Sequence, residues 1–320
     1  MNELFCKDSL QYLPTYAELA DLRSTFIANC VLNICLTYTS IILNIVTIYA
    51  IRKTWTMAKT LKTLLLSLAC SDVAVGLFTQ TLYSFLLVKW LQLDNPGCNT
   101  QQMWSISSVL FSAVSFLGVV AVSVDRFLAV HLHLRYQELV THKRVVIVVI
   151  GIWVFSAFCS LMILWVPFSN NYLIQLFSMS FIFILTFLVY IRIYLTVRHH
   201  RNLIHSLQIR DEARSDEMKN FAVLIKTTIG IFFVFIVFLI CYLPVFICMA
   251  AIGIYGLKSA LKKLLLFSLT LVYLNSSLNP VIYCWKMRQI RHAVMGILWK
   301  VYRRRNQPSH VIYNRRWSVV

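Results

Sequence analysis

The chain has 320 residues, of which 59% are hydrophobic and only 13% are charged, and its mean hydropathy is +0.72. A soluble domain carries about 25% charged residues, so the composition excludes an ordinary soluble globular protein and predicts a chain that lies mostly in lipid. The formal net charge is +18. A strongly basic chain can also bind nucleic acid, but the apolar segments described next disfavour that class of function.

Long runs without Asp, Glu, Lys or Arg indicate the membrane spans, each of which needs about 20 apolar residues. The run at 145–191 is split into two spans by the sequence PFSNN, and the run at 63–88 is interrupted only by Asp72. The sequence therefore predicts an all-α bundle of seven membrane-spanning helices. The charge-free ranges are 24–51, 63–88, 95–124, 145–191, 227–257 and 264–285.

The basic residues predict the orientation of these spans. With the N-terminus outside, most of the 30 Lys and Arg residues fall in the inner loops and the tail, as the positive-inside rule requires. We therefore predict a multi-pass plasma-membrane protein with an extracellular N-terminus at 1–22, a bundle at 23–285, an amphipathic eighth helix at 286–302 and a basic cytoplasmic tail at 303–320. The eighth helix and the basic inner loops are expected to contact anionic membrane lipid.

Nine cysteines are present, and seven of them fall within the predicted spans or at their edges. Buried cysteine usually behaves as a small hydrophobic residue. Only Cys6 and Cys98 are expected outside the cell, where disulfides persist. A disulfide between Cys6 and Cys98 is therefore a hypothesis that rests on elimination.

Asp72 is an acid in the middle of a predicted span, with no basic residue on the same helix. Because an unpaired carboxylate is costly in a membrane, such a residue is a candidate functional site. A carboxylate surrounded by neutral oxygens suits a hard cation such as sodium, whereas a fixed hydrogen-bond network would only hold helices together. The residues leave both interpretations open. The candidate partners of Asp72 are Asn44, Ser115, Asn275, Ser276 and Asn279.

Two further features lie in the inner half of the predicted bundle. Asp125 and Arg126 end the third span, so Asp125 can restrain Arg126 while the guanidinium stays available for a partner. An arginine that merely reaches the interfacial water is the alternative. Pro244 and Pro280 interrupt two consecutive spans and should kink them, which suits a bundle with two packings, although a static kink would explain either proline alone.

These motifs occur in order, one per expected helix, and the chain resembles a rhodopsin-like (class A) G-protein-coupled receptor from about residue 23 to 299. The matching residues are Asn44, Asp72 in LACSD, Asp125-Arg126-Phe127, Trp153, Tyr190 in VYIRIY, Pro244 in CYLP, and Asn279, Pro280 and Tyr283 in NPVIY.

The resemblance implies a mechanism with two states. Arg126 would contact a heterotrimeric G protein when the inner end of the sixth span moves outward, and Tyr190 and Tyr283 would stabilise that open state. Phe238, Tyr242, Pro244, Asn279 and Pro280 would complete the activation switch. In the inactive state, sodium would be held by Asp72, Ser115, Asn275 and Asn279.

The chain also departs from the family pattern. Tyr242 replaces the usual switch tryptophan, Phe127 replaces the tyrosine after Arg126, and the fifth span has no proline. The link after the fourth span is short and carries no cysteine that could bond Cys98. The absence of that proline, that disulfide and a long outer loop resembles the melanocortin, lysophospholipid and cannabinoid receptors, with the adenosine receptors as relatives.

The ligand is predicted from what the upper bundle offers. Ser108 stands where amine receptors carry an aspartate, and Tyr273 stands where opsins carry the retinal lysine. The remaining side chains are mostly apolar and aromatic, which suits a lipid-like or small hydrophobic ligand. Lys258, Lys262 and Lys263 at the mouth could attract an acidic head group, although solubility of the outer loop is the favoured explanation. The predicted pocket residues are Tyr83, Met103, Trp104, Ser108, Phe246, Met249 and Tyr273.

The usual acidic partner of Arg126 on the sixth span is replaced by Leu224, so we expect raised ligand-independent signalling. A non-signalling decoy receptor is one alternative. A seven-span transporter is another, but transporters tend to carry inverted repeats and several intramembrane charges, and here only Asp72 qualifies. No nucleophile–base pair suggests an enzyme, and no cofactor is expected except an allosteric sodium ion.

Overall fold

The structure is a computed structural model, and it describes residues 14–55, 57–132, 135–164, 184, 187–188, 191–192, 195 and 215–305. The described elements are α1 (Tyr16–Lys53), α2 (Lys59–Leu91), α3 (Cys98–Leu132), α4 (Tyr136–Leu139), α5 (His142–Leu161), α6 (Ser215–Tyr255), α7 (Ser259–Lys286) and α8 (Arg288–Arg305).

Every long element within these ranges is a helix, and six of the helices are long and apolar enough to cross a membrane. They correspond to the predicted spans one to four, six and seven, with α5 as the fourth. The predicted fifth span lies almost entirely outside the described residues. The prediction of an all-α membrane bundle with an eighth helix after the last span is confirmed.

α1 begins at Tyr16 because Thr15 caps it. The Glu18 amide donates to Thr15 Oγ1 at 3.3 Å, and the Thr15 amide donates to Glu18 Oε2 at 3.0 Å. This reciprocal arrangement pairs two backbone donors that a helix start otherwise leaves unpaired. The helix therefore extends outward beyond residue 23, where the bundle was predicted to begin.

α7 is the most enclosed of the six spans: 67% of its apolar window is buried, against 17% for α5 at the periphery. It packs between α1 and α6. Since lipid tails are as apolar as the side chains, close packing and hydrogen bonds rather than hydrophobicity hold such helices together. The polar residues of α7 accordingly face neighbouring helices, and Pro280 lies inside the continuous helix, as Pro244 does in α6.

Two clusters of buried side chains fill the bundle. The inner cluster lies between α2, α3, α6, α7 and α8 and includes Leu65, Phe116, Phe238, Tyr283 and Ile290. The outer cluster joins α1, α2, α3 and α7 and includes Phe26, Tyr83, Trp90, Phe111 and Tyr273. Asp72, Asn44, Asn275 and Asn279 are buried as well and form a polar layer of the bundle.

Candidate functional site

Asp72 lies in a buried contact between α2, α7 and α1. Its side chain is fully buried, and Asn279 Nδ2 donates to its Oδ2 at 2.9 Å. Ser40 Oγ of α1 donates to the backbone carbonyl of Asp72 at 3.0 Å. The structure thus brings together two of the four residues that the family resemblance assigns to sodium.

Asn44 of α1 holds the same region of α7 through its amide. Its Nδ2 donates to the carbonyl oxygens of Ser40 and Ser276, each at 2.9 Å. Ser115 Oγ lies 3.2 Å from Ser71 Oγ, next to Asp72 along the chain. Ser115, another predicted sodium ligand, therefore contacts Ser71, the residue before Asp72, in this packing.

Four buried oxygens in this layer have no hydrogen-bond donor among the described residues. Because carbonyl and carboxylate oxygens are the ligands that hard cations prefer, the residues present fit sodium. One carboxylate with neutral oxygens does not suit the softer transition metals, which favour thiolate and imidazole. The unpaired atoms are Asp72 Oδ1, Asn44 Oδ1, Asn275 Oδ1 and Asn279 Oδ1.

A small polar cavity lies outward of this layer, with about 10 Å³ of space for the centre of a water-sized sphere. That is room for one water molecule. Six of its lining side chains carry a hydroxyl: Thr79, Ser108, Ser112, Tyr242, Tyr273 and Ser276. Its lining combines two residues of the predicted ligand pocket, Ser108 and Tyr273, with Ser276, a candidate partner of Asp72.

The inner end of α3 carries a buried charged contact. Arg126 Nε donates to Asp125 Oδ2 at 2.9 Å, and Arg126 Nη2 makes a second, shorter contact with the same oxygen. Both side chains are buried, with 4% of Asp125 and 5% of Arg126 exposed. The guanidinium is therefore restrained by its neighbour in this packing of the bundle.

Tyr136 of α4 completes this contact from the second inner loop. Its hydroxyl donates to Asp125 Oδ1 at 2.5 Å and lies 3.0 Å from Thr60 Oγ1 at the start of α2. Burial, together with the negative charge of Asp125, raises the pKa of Tyr136 to about 12, so the hydroxyl keeps its proton at neutral pH. Sequence reasoning missed this partner, because only the folded loop returns Tyr136 to Asp125.

An aromatic column runs along α6 at the predicted switch. The Tyr242 and Phe238 rings stack with centroids 4.1 Å apart at 11°. Phe238 also contacts Phe116 of α3 at 5.2 Å, and Phe246 continues the column 6.5 Å from Tyr242. Tyr242 thus stacks on Phe238, and Phe238 packs this column against α3.

The outer aromatic side chains contact one another. Trp104 Nε1 donates to the Tyr273 hydroxyl at 2.9 Å. The Tyr83 ring lies 5.6 Å from Trp104 and 5.2 Å from Tyr273. Met103, which was predicted to belong to the same pocket, is 60% exposed, whereas Phe246 and Met249 are half-buried.

Two of the lysines at the mouth tie α7 to α1. Lys262 Nζ lies 2.9 Å from Glu18 Oε2, and Lys263 Nζ lies 2.5 Å from Asp21 Oδ1. The Lys262 side chain is only 10% exposed. Neither solubility nor an acidic ligand is needed to explain these two residues, because each has a carboxylate partner within the chain.

Some predicted residues fall outside the described ranges. Tyr190 and Cys6 are among them, so their roles stay predictions. Cys98 is disulfide-bonded, and seven other cysteines are free thiols. Tyr283 is described and buried in the inner cluster.

These elements define a helical membrane protein with a buried acid at its centre and a restrained arginine at its inner end. The family model described as "7 transmembrane receptor (rhodopsin family)" matches residues 43–283, which include both features. The chain belongs to this family, the rhodopsin-like (class A) G-protein-coupled receptors. It is a multi-pass membrane receptor and not an enzyme.

Similar receptors cover most of the chain. Melanocortin receptor 5 of Homo sapiens is 26% identical over 270 residues, which are 81% of this chain and 80% of that receptor. Melanocortin receptor 3 of Rattus norvegicus is 25% identical over 272 residues, 81% of each chain. Adenosine receptor A2b of Gallus gallus is 23% identical over 319 residues, 88% of this chain and 90% of that receptor. The predicted resemblance to melanocortin and adenosine receptors is confirmed.

Proposed function

We propose that this receptor converts the binding of an extracellular ligand into activation of a heterotrimeric G protein, at the plasma membrane and with its N-terminus outside. The observation that carries the proposal is the buried Asp125–Arg126 contact at the inner end of α3. A buried charge pair costs desolvation, so its presence is better explained by a switch than by stability alone. Arg126 becomes available to a partner when α6 moves away.

The experiment measures ligand-free activation across a panel of G-protein dissociation sensors at matched surface expression. Wild type is compared with Arg126→Ala, and Lys300→Ala on the exposed face of α8 serves as the control. Activity that only Arg126→Ala removes supports coupling and identifies the G protein. Ligand binding without activation of any sensor would make the chain a decoy receptor, and transport of a solute across the membrane would make it a transporter.

The layer around Asp72 supports sodium as an allosteric ion of this receptor. Asp72, Asn275 and Asn279 would hold the ion through their unpaired side-chain oxygens, which are buried inside the bundle. The ion would supply one positive charge to this site. An ion that binds one state better than another shifts the population toward that state. Sodium would accordingly favour the packing seen here.

The outer aromatic cluster supports a lipid-like or small hydrophobic ligand. Tyr83, Trp104 and Tyr273 offer large apolar surfaces with two hydroxyls and an indole N–H, which is the composition of many small-molecule pockets. Because these three rings contact one another here, a ligand would have to separate them. A lipid-extract panel tests this with Trp104→Ala, and Trp299→Ala on α8 is the control. Unchanged responses to every extract would contradict the proposal.

Raised basal activity is supported by the sequence of α6, where Leu224 replaces the family's acidic partner of Arg126. Without that partner, the described restraints on Arg126 are Asp125 and its neighbour Tyr136. Basal activity is measured against mock-transfected cells at verified surface expression. Activity equal to that of the mock-transfected cells would contradict this part of the proposal.

A further inference from the structure

The buried face of α1 is polar along most of its length. Asn29, Asn33, Ser40 and Asn44 are all fully buried in an otherwise apolar helix. Amide side chains at helix contacts in a membrane normally form hydrogen bonds across the contact, so each of them calls for a partner. Ser40 and Asn44 belong to the Asp72 layer, but Asn29 and Asn33 lie about two turns or more further out and are not explained by it.

Thr270 of α7 joins the two outer asparagines. Its hydroxyl donates to Asn29 Oδ1 at 2.6 Å, and Asn33 Nδ2 donates to Thr270 Oγ1 at 2.8 Å. Asn33 Nδ2 also donates to the carbonyl oxygen of Asn29 at 2.7 Å. Asn33 Oδ1 is buried and accepts no hydrogen bond from the described residues.

Gln80 of α2 lies at the same level. It ends the π-helical turn Val75–Gln80, in which Gly76 approaches α1 so closely that an added Cβ would lie 2.8 Å from Ile41 Cγ1 and 3.4 Å from the Thr37 carbonyl oxygen. α1 and α2 are consecutive spans and run antiparallel. Moving outward from the contact between Gly76 and Thr37, the chain reaches Gln80 four residues later on α2 and Asn33 four residues earlier on α1. This register brings Gln80 and Asn33 to the same depth of the bundle.

Gln80 is fully buried, and neither its Nε2 nor its Oε1 has a hydrogen-bond partner among the described residues. A glutamine amide can make about four hydrogen bonds, and lipid can satisfy none of them. Buried polar atoms in native proteins nearly always have a partner, either protein or ordered water. Asn33 Oδ1, Gln80 Oε1 and Gln80 Nε2 therefore require hydrogen-bond partners from a bound molecule.

We propose that Gln80, Asn29, Asn33 and Thr270 form a second polar site, between α1, α2 and α7, which binds a small uncharged group that both donates and accepts hydrogen bonds. The donor is needed for Asn33 Oδ1 and Gln80 Oε1, and the acceptor is needed for Gln80 Nε2. A single ion does not fit this mixed set, because a cation would leave Gln80 Nε2 unpaired and an anion would leave the two carbonyl oxygens unpaired. Bound water and the hydroxyl or amide of an extracellular ligand share this chemistry.

A double-mutant cycle on the purified receptor tests the site without any signalling readout. Gln80→Leu and Asn33→Leu are made singly and together, and the thermal midpoint is followed by tryptophan fluorescence. We expect each substitution to lower the midpoint and the pair to lower it by clearly less than the sum, because both remove the same bound group. Thr47→Val is the matched control on α1, since its hydroxyl donates to the Leu43 carbonyl of the same helix, and it should add independently to Gln80→Leu.

A higher midpoint for Gln80→Leu would overturn the proposal, because it would show that the amide was buried without any partner. Strictly additive effects of Gln80→Leu and Asn33→Leu would overturn it as well. If a variant does not fold, a high-resolution cryo-EM map of the unmodified receptor decides. A peak within hydrogen-bonding distance of Gln80 and Asn33 supports the site, and an empty map there refutes it.

The source of the bound group is distinguished by a neutral, hydroxyl-bearing lipid. Monooleoylglycerol is added to the purified receptor before the thermal measurement. If monooleoylglycerol stabilises wild type but not Gln80→Leu, the site is assigned to the hydroxyl group of a ligand. Coupling between Gln80 and Asn33 without any effect of the lipid assigns it to water. This arm alone rests on the proposed lipid-like ligand, so its failure leaves the site itself intact.

Discussion

The Lys286 ammonium, at the end of α7, lies 3.7 Å from the centroid of the Phe233 ring on α6 and 3.5 Å from that of Trp285. Gly230 makes this possible, because a Cβ added there would lie only 3.0 Å from Lys286 Cβ. A cation over an aromatic face is attracted by the ring quadrupole. The inner ends of α6 and α7 are thus held together by this contact.

Replacing Lys286 with Met should raise ligand-free G-protein activation. A cation–π contact contributes about 0.5–2 kcal/mol, so its loss should shift the equilibrium toward the open packing by about two- to thirty-fold. Lys286→Arg keeps the charge and should stay near wild type. Lys300→Met on the exposed face of α8 controls for general loss of positive charge, and equal basal activity in Lys286→Met and wild type would contradict the expectation.

Tyr136→Phe should release Asp125 and loosen Arg126. A hydrogen bond to a charged group is worth about 1.5–3 kcal/mol, so we expect a lower thermal midpoint together with higher basal activity. Tyr49→Phe, on the exposed face of α1, is the control. A lower midpoint without any gain in activity would mean that Tyr136 supports only the loop.

The same residue predicts a pH profile. The pKa of Tyr136 is raised to about 12 from 10, so its contribution to stability is complete below about pH 10 and is lost as the pH rises toward 12. The difference in thermal midpoint between wild type and Tyr136→Phe should therefore be constant from pH 6 to 9 and shrink above pH 10. A difference that changes between pH 6 and 9 would show that another group controls this contact.

Sodium should stabilise the purified receptor through Asp72. Exchanging choline chloride for sodium chloride at equal ionic strength should raise the thermal midpoint of wild type, since a ligand that binds only the folded state stabilises it. Asp72→Asn removes the charge and should abolish the difference. Asp94→Asn, which alters an exposed acid of the outer loop, should keep it. A sodium effect of equal size in Asp72→Asn would place the ion elsewhere.

The two ion pairs between α1 and α7 should differ in strength. Exposed ion pairs contribute about 0.2–1 kcal/mol, and Lys263–Asp21 belongs to this class because its side chains are 36% and 56% exposed. Lys262 is nearly buried beside Glu18, and its charge would be left unpaired without that carboxylate. Glu18→Gln should therefore lower the thermal midpoint more than Asp21→Asn does. Equal effects of the two substitutions would contradict this ranking.

Much of the site was predictable from local patterns. Charge-free runs predict the spans because a lipid core excludes charge over a fixed thickness, and Asp72 is conspicuous for the same reason. The pairing of Asp72 with Asn279 was one of several open choices, since these residues are far apart along the chain. Tyr83, Trp104 and Tyr273 were predicted to lie in the upper bundle, but their mutual packing was not predicted.

The amino-acid sequence by itself determined the class of protein and its all-α membrane architecture with an eighth helix, because these depend on composition, spacing and order. Only the tertiary structure decided which polar groups meet. Tyr136 returns to Asp125 through a folded loop, Lys262 of α7 reaches Glu18 of α1, and Gln80 is buried without a hydrogen-bond partner among the described residues. Such contacts depend on helix rotation and register, which the periodicity of one chain segment does not specify.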